Sequence, residues 1–65
     1  MTSLSEKALE ILQADNNKHE FTNSYLTANG FSKSTAKIVI KELEENGYIS
    51  ISRTFVNGNV TFELL

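Results

Sequence analysis

The chain has 65 residues, of which 40% are hydrophobic and 22% charged, and its formal net charge at pH 7 is −2. This length suits one small domain, and the composition is that of an ordinary globular protein. The isoelectric point near 5.2 argues against a protein that binds polyanions non-specifically over its whole surface. Because the chain contains no cysteine, disulfide bonds and thiolate metal sites are excluded.

The chain shows no targeting or membrane-spanning pattern. No apolar run approaches the roughly 18 residues that a membrane-spanning helix needs. The opening sequence MTSLSEKALE carries charges every few residues and has no apolar signal core. We therefore expect one domain over residues 1–65, located in the cytoplasm and without a membrane partner.

Basic and acidic residues are separated along the chain. Four of the six basic residues lie in its second half: Lys33, Lys37, Lys41 and Arg53. The first third carries the acids Glu6, Glu10, Asp15 and Glu20. A local basic surface is therefore compatible with the acidic total.

A first helix is predicted to begin near Ser3, since Ser3 and Glu6 have the S-x-x-E spacing of a capping box. Helical spacing places four apolar residues on its inner face: Leu4, Ala8, Ile11 and Leu12. The run Asp15-Asn16-Asn17 is typical of a turn and predicts the end of this helix.

Residues 18–21 predict either an extended connector or a strand with a single bridge. Thr22 is a suitable N-cap for a second helix that ends at Asn29-Gly30, where both residues tolerate the left-handed conformation. Its inward residues are predicted to be Tyr25 and Leu26, with Phe21 left open as a third, and Phe31 is predicted to fill the core in the turn between the helices.

A third helix is the most regular element of the sequence. Ser32 is its predicted N-cap, with Ser34 and Thr35 in the first turn. Its buried stripe is predicted to be Ala36, Val39, Ile40 and Leu43, with Lys33, Lys37 and Lys41 along an exposed face. Gly47 fits the position after the helix end, and Tyr48 and Ile49 are expected to return to the core.

The last segment predicts a β-hairpin about Asn57-Gly58, a pair that favours a type I′ turn. Folding the chain about this turn pairs Phe55 with Val60, Arg53 with Phe62, and Ile51 with Leu64. In this register the apolar residues share one face with Arg53, and the opposite face carries Ser52, Thr54, Thr61 and Glu63.

Three helices followed by a hairpin is the element order of a winged helix-turn-helix domain. Residues 32–49, SKSTAKIVIKELEENGYI, resemble the recognition helix and following strand of MarR-type and related bacterial winged-helix regulators. The matching positions are Ser34-Thr35, Leu43-Glu44, Gly47 and Tyr48-Ile49. The resemblance implies an α+β fold: a three-helix winged helix-turn-helix with a C-terminal two-stranded β-hairpin wing. The wing departs from the family in carrying Arg53 as its one basic residue, and residues 1–65 do not predict the long flanking dimerisation helices of the family.

The resemblance implies a small sequence-specific protein that binds double-stranded DNA, either a transcriptional regulator or a phage or plasmid accessory factor. The third helix would enter the major groove and contact DNA through Ser32, Lys33, Ser34, Thr35, Lys37, Ile38 and Lys41. Lysines suit phosphates, hydroxyls suit phosphates or bases, and Ile38 suits a thymine methyl group. The wing would add Arg53, Asn57 and Asn59 on the adjacent backbone or minor groove.

Each of these features also has a purely structural interpretation. Lysines spaced by four are typical of a solvated helix face, and Asn57-Gly58 is in the first place a turn. Arg53 on the inner hairpin face could extend around the edge of Phe62. The acids Glu42, Glu44 and Glu45 would repel phosphate, so DNA contact is expected to be confined to the first half of the helix.

A second hypothesis from a different class is a winged-helix protein-interaction module that does not bind DNA. It would use an exposed apolar patch around Ile38, Val56 and Leu65. An enzyme is not expected, because the single histidine, His19, has no cluster of potential partners in the sequence and no phosphate-binding glycine loop is present. No cofactor or metal is predicted, and self-association on DNA stays open.

Overall fold

The computed structural model describes residues 1–15 and 17–65, in which three helices pack on one antiparallel sheet. The elements in chain order are α1 (Ser3–Ala14), β1 (Glu20–Thr22), α2 (Asn23–Ala28), α3 (Lys33–Glu45), β2 (Ile49–Thr54) and β3 (Val60–Leu64). The strand order is β1-β3-β2. The predicted α+β class is confirmed, but the hairpin is not a separate two-stranded wing, because β1 joins it in a three-stranded sheet. Asn16, in the predicted turn, lies outside the described residues.

Helix α1 begins at the predicted residue but with a different cap and a different inner face. Thr2 is the N-cap, because its hydroxyl accepts a hydrogen bond from the Ser5 amide at 3.3 Å. The predicted capping box at Ser3 is therefore wrong. The buried residues of the helix are Ser5, Ala8, Leu9 and Leu12. Leu4 is 51% exposed, against the prediction, because the inner face is rotated by one residue.

Strand β1 inserts one aromatic residue into the core. Its three residues pair with β3, so that Phe21 lies opposite Phe62. Both side chains are almost completely buried, and their ring centroids are 5.9 Å apart. Tyr25 packs edge-on against Phe21 at 5.0 Å. The segment predicted as a connector or a single bridge is therefore a short strand that joins the hairpin to the helices.

The third helix has the predicted boundaries and the predicted buried stripe. The Ser32 hydroxyl accepts from the Thr35 amide at 3.2 Å, which confirms the N-cap. The buried residues of α3 are Ala36, Val39, Ile40 and Leu43, as predicted. After the helix, Gly47 has φ of +79°, which suits its place beyond the C-cap. Ile49 enters the core, whereas Tyr48 is 42% exposed, so the prediction for Tyr48 is wrong.

The hairpin has another register and another turn than those predicted. Ile51 pairs with Phe62, but Arg53 pairs with Thr61, so Ser52 is the extra residue of a β-bulge. Because the bulge reverses the side-chain alternation beyond it, Arg53 is exposed instead of lying on the core face opposite Phe62.

Two backbone hydrogen bonds close the hairpin turn around residues 56–58. The Gly58 amide donates to the Phe55 carbonyl at 3.0 Å, and the Phe55 amide donates to the Asn59 carbonyl at 2.8 Å. Gly58 has φ of +89°, while none of the described non-glycine residues has a positive φ. A type I′ turn needs positive φ at both central residues, so that prediction is wrong; the hydrogen bonds are those of a turn followed by a glycine bulge.

The N-terminus of α1 is held against the last turn of α3 by a carboxylate. The Thr2 amide donates to Glu42 Oε1 at 2.5 Å. This backbone hydrogen bond and the Ser5 hydroxyl lower the pKa of Glu42 below its ordinary value. An anion at a helix N-terminus also interacts favourably with the helix dipole. Glu42 therefore joins two helices that are far apart in sequence.

None of the helices in the described ranges combines the length and the hydropathy needed to cross a membrane.

We expect Glu42→Gln to lower the urea midpoint of unfolding at pH 7, with a difference that fades on acidification. Because folding lowers the pKa of Glu42, its ionised form contributes stability above the unfolded-state pKa of about 4.3–4.5, and that contribution is lost as the pH falls through the folded-state pKa. The measurement is the midpoint of both proteins from pH 7 down to pH 3. A difference that is constant over this range would contradict the assigned contact.

We expect Glu63→Gln to raise the free energy of unfolding by about 0.2–0.5 kcal/mol, because like charges directly opposite on neighbouring strands are unfavourable. Glu63 lies directly across from Glu20 in the β1–β3 ladder. Urea titration measures the gain, and 1 M salt should reduce it.

Candidate nucleic-acid interface

The lysines of α3 lie on the flank of the helix that faces the hairpin. Lys33 and Lys37 line a cleft together with residues of the loop between β2 and β3, residues 55–59, called the hairpin loop below. Lys37 and Lys41 line a neighbouring groove with residues of β2 and β3. The spacing by four predicted one face, and the structure places this face beside the hairpin.

The cleft unites three separate parts of the chain. It has a volume of about 350 Å³ and is lined by Asn23, Ser24, Thr27, Lys33, Lys37, Asn57 and Asn59. Among the described residues, no carboxylate lines it, and every lining side chain carries a hydrogen-bond donor. Two ammonium groups without an adjacent acid make the cleft suited to an anion.

The two asparagines of the hairpin loop hold its shape through their carbonyl oxygens. Asn57 Oδ1 accepts from the Asn59 amide at 3.1 Å, and Asn59 Oδ1 accepts from Asn23 Nδ2 at 3.1 Å. Neither bond uses the side-chain NH2 group of Asn57 or Asn59. These NH2 groups are the donors that an acceptor such as phosphate requires.

The hydroxyl groups at the start of α3 form a small cluster. Ser32 Oγ donates to Thr35 Oγ1 at 2.8 Å and lies 3.4 Å from Ser34 Oγ. Ser32 and Ser34 are exposed at the helix N-terminus, and both Ser32 and Thr35 line a surface depression with Leu4 of α1. Thr35 is thus on the opposite flank from the cleft, and its role at the helix start is capping.

Three other predicted site residues lie outside the cleft. Ile38 is 66% exposed, as expected for a residue off the buried stripe. Lys41 lines the neighbouring groove, of about 300 Å³, together with Glu44, whose charge opposes anion binding there. Arg53 lies over the Phe55 ring at 5.1 Å from its centroid, which indicates packing along the strand.

The apolar residues considered for a protein interface are exposed, and two of them, Val56 and Leu65, lie at opposite ends of β3. Val56 is at the tip of the hairpin loop, while Leu65 follows the far end of β3, where its amide donates to the Tyr48 carbonyl at 3.0 Å. At about 3.3 Å per residue, the length of β3 separates them. Ile38 is on α3.

His19 lies on an exposed bend before β1. Within the described ranges, no group of three potential metal-ligating side chains comes together.

Three lining residues of α2 were missed by reasoning from the sequence: Asn23, Ser24 and Thr27. They follow a strand too short to be assigned firmly, so nothing in the sequence placed them next to the hairpin loop. The available signal was Asn23 itself, a residue with low helix propensity in a position just after a cap.

Comparison of the chain with protein-family models, with curated proteins and with solved structures gives no match. What the chain binds must therefore be inferred from its own residues.

We expect Gly58→Ala and Gly47→Ala to destabilise the fold by a similar amount, about 1 kcal/mol, because both glycines have a positive φ that disfavours a β-carbon. Only Gly58→Ala should perturb the cleft, since its β-carbon would lie 3.4 Å from Lys37 Nζ, whereas no atom lies within 4 Å at Gly47. Urea unfolding measures the first effect and NMR shifts of the Lys37 ε-methylene group the second. Equal Lys37 shifts in both variants would contradict the described position of the lysine.

Proposed function

We propose that this chain is a small winged-helix protein that binds double-stranded DNA sequence-specifically, as a transcriptional regulator or a phage or plasmid accessory factor. In this proposal α3 enters the major groove and the hairpin loop acts as the wing on the neighbouring backbone. The observation that supports it best is the cleft in which Lys33 and Lys37 of α3 meet Asn57 and Asn59 of the loop.

The dimensions and charges of this surface suit a duplex. An α-helix with its side chains is about 10–12 Å wide and the major groove is about 12 Å wide, so a helix fits with its flanks near the phosphates. Lys33 and Lys37 lie on one such flank, beside donors from α2 and the hairpin loop. Lysines that replace condensed counterions on phosphates supply the sequence-independent part of the affinity.

Sequence preference would come from the exposed residues between the flanks of α3. Ser34 and Ile38 are exposed one turn apart, which suits them to base edges and a thymine methyl group. Glu44 and Glu45 follow near the C-terminus of the helix. Their repulsion of phosphate favours an orientation in which the N-terminal half enters the groove and the acidic end points away from the DNA.

The alternative of a protein-interaction module has weaker support. Its three apolar residues are exposed, but Val56 and Leu65 are separated by the length of β3, so the three do not form one contiguous patch. A stable protein interface needs a contiguous area of about 800 Å² on each partner.

The test is a titration of a labelled duplex pool at several salt concentrations, with Lys33→Gln and Lys37→Gln as variants. We expect each variant to weaken binding to all duplexes by a similar factor. We also expect each to reduce the slope of log K against log salt by about 0.9, the value for one phosphate contact.

Lys18→Gln is the matched control, because Lys18 is an exposed lysine between α1 and β1 that lies over the Phe21 and Tyr25 rings and does not line the cleft. It removes the same charge from the total but should leave the slope unchanged. Equal behaviour of all three variants, or binding that does not respond to salt, would overturn the proposal.

A further inference from the structure

Asn23 is a buried polar residue whose side-chain amide both accepts and donates a hydrogen bond. It is 8% exposed, and among the described residues Ser5 is the other buried polar side chain. Asn23 Oδ1 accepts from the Val60 amide at 3.2 Å, and Asn23 Nδ2 donates to Asn59 Oδ1 at 3.1 Å. Because the Val60 amide can only donate, the side-chain amide has one favourable orientation, with its NH2 group towards the hairpin loop.

The position of Asn23 explains the first of these bonds. The β1–β3 ladder pairs Glu20 with Glu63, Phe21 with Phe62, and Thr22 with Thr61. The next pair in this register would be Asn23 with Val60. Asn23 is already the first residue of α2, so its backbone has left the sheet. Its side chain takes the place of the missing backbone acceptor and extends the ladder by one hydrogen bond.

The hydrogen bond from Asn23 to Asn59 connects α2 to the hairpin loop. Asn59 is bound to Asn23 through its side chain and to Asn57 through its backbone amide. On the other side of the cleft, Lys37 Nζ lies 3.4 Å from the position a β-carbon would take on Gly58. The loop is therefore fixed relative to α2, which packs on α3, and the width of the cleft follows from the contact between Asn23 and Asn59.

We propose that Asn23 is a positioning residue that fixes the hairpin loop against the helices, so that α3 and the loop meet DNA as one preformed surface. This inference rests on the proposed function. Asn23 itself lies largely below the surface and acts through Asn59. A loop that is already ordered in the free protein loses less conformational entropy on binding, which raises affinity without any additional contact.

The first test concerns the free protein. Backbone amide relaxation by NMR should show faster loop motion at residues 56–59 in Asn23→Ala and in Asn59→Ala. Asn23→Asp should restore the order, because one carboxylate oxygen still accepts from Val60 and the other can accept from Asn59 once that amide turns over. Unchanged loop order in both alanine variants would overturn the inference.

The second test is a double-mutant cycle for DNA affinity with Asn23→Ala, Asn59→Ala and the pair, under conditions in which all variants are folded. Each single variant should weaken binding by roughly three- to tenfold, and the pair should weaken it no more than the stronger single variant, since both remove the same restraint. Asn59→Ala leaves the Asn23–Val60 hydrogen bond in place. Its DNA affinity can therefore be measured even if Asn23→Ala does not fold.

Ser5→Ala is the control for stability alone, because Ser5 is buried at the start of α1 and away from the cleft. It should lower the urea midpoint and leave DNA affinity unchanged. If the unaltered protein binds DNA but the two asparagine effects are additive, the positioning role is overturned and the proposed function stands. If the unaltered protein shows no salt-dependent DNA binding, the proposed function itself is overturned.

Discussion

The pairing of β1 with β3, which places Phe21 against Phe62, is the constraint on which the rest of this structure depends. Each of these aromatic side chains brings a large apolar area into the core, and both are almost completely buried. A hairpin alone is marginally stable in water, and the third strand attaches it to the helical core. The chain leaves β1 directly into α2. One short pairing therefore sets the position of the sheet, of α2 and of the hairpin loop.

The bulge at Ser52 keeps a charged residue out of the core that this pairing helps to build. Phe62 lies opposite Phe21 on one side and opposite Ile51 on the other. Without an extra residue, regular alternation would then keep Arg53 on the core side of β2. The bulge reverses the alternation, and Ser52 Oγ lies 3.1 Å from Thr61 Oγ1 and donates to Glu20 Oε2 at 3.2 Å on the outer face. A bulge also increases the twist of a hairpin and so changes the direction of its end. In this structure the end of the hairpin is the loop whose Asn57 and Asn59 line the cleft.

These dependencies explain which parts were predictable from sequence. Helix α3 was predicted well because its cap and its stripe are both local patterns that agree with each other. The hairpin was predicted as an element but with the wrong register, since the register depends on the bulge at Ser52 and no local sequence pattern marks that bulge. For the candidate site, the sequence indicated Lys33, Lys37, Asn57 and Asn59 separately. Their convergence, and the contribution of Asn23, depend on tertiary contacts that no local pattern encodes.

Acidic and basic side chains lie on different sides of this molecule, although its net charge is negative. Glu20 and Glu63 lie opposite each other on strand positions that alternate with the buried Phe21 and Phe62, so they face away from the helices. The lysines of α3 lie on the helical side, beside the hairpin loop. If α3 binds DNA, Glu20 and Glu63 lie on the side of the molecule turned away from the phosphates, and Lys33 and Lys37 lie on the side turned towards them. Such an asymmetry orients a protein during encounter. A net negative charge is then no obstacle to binding, and it disfavours approach through the wrong face.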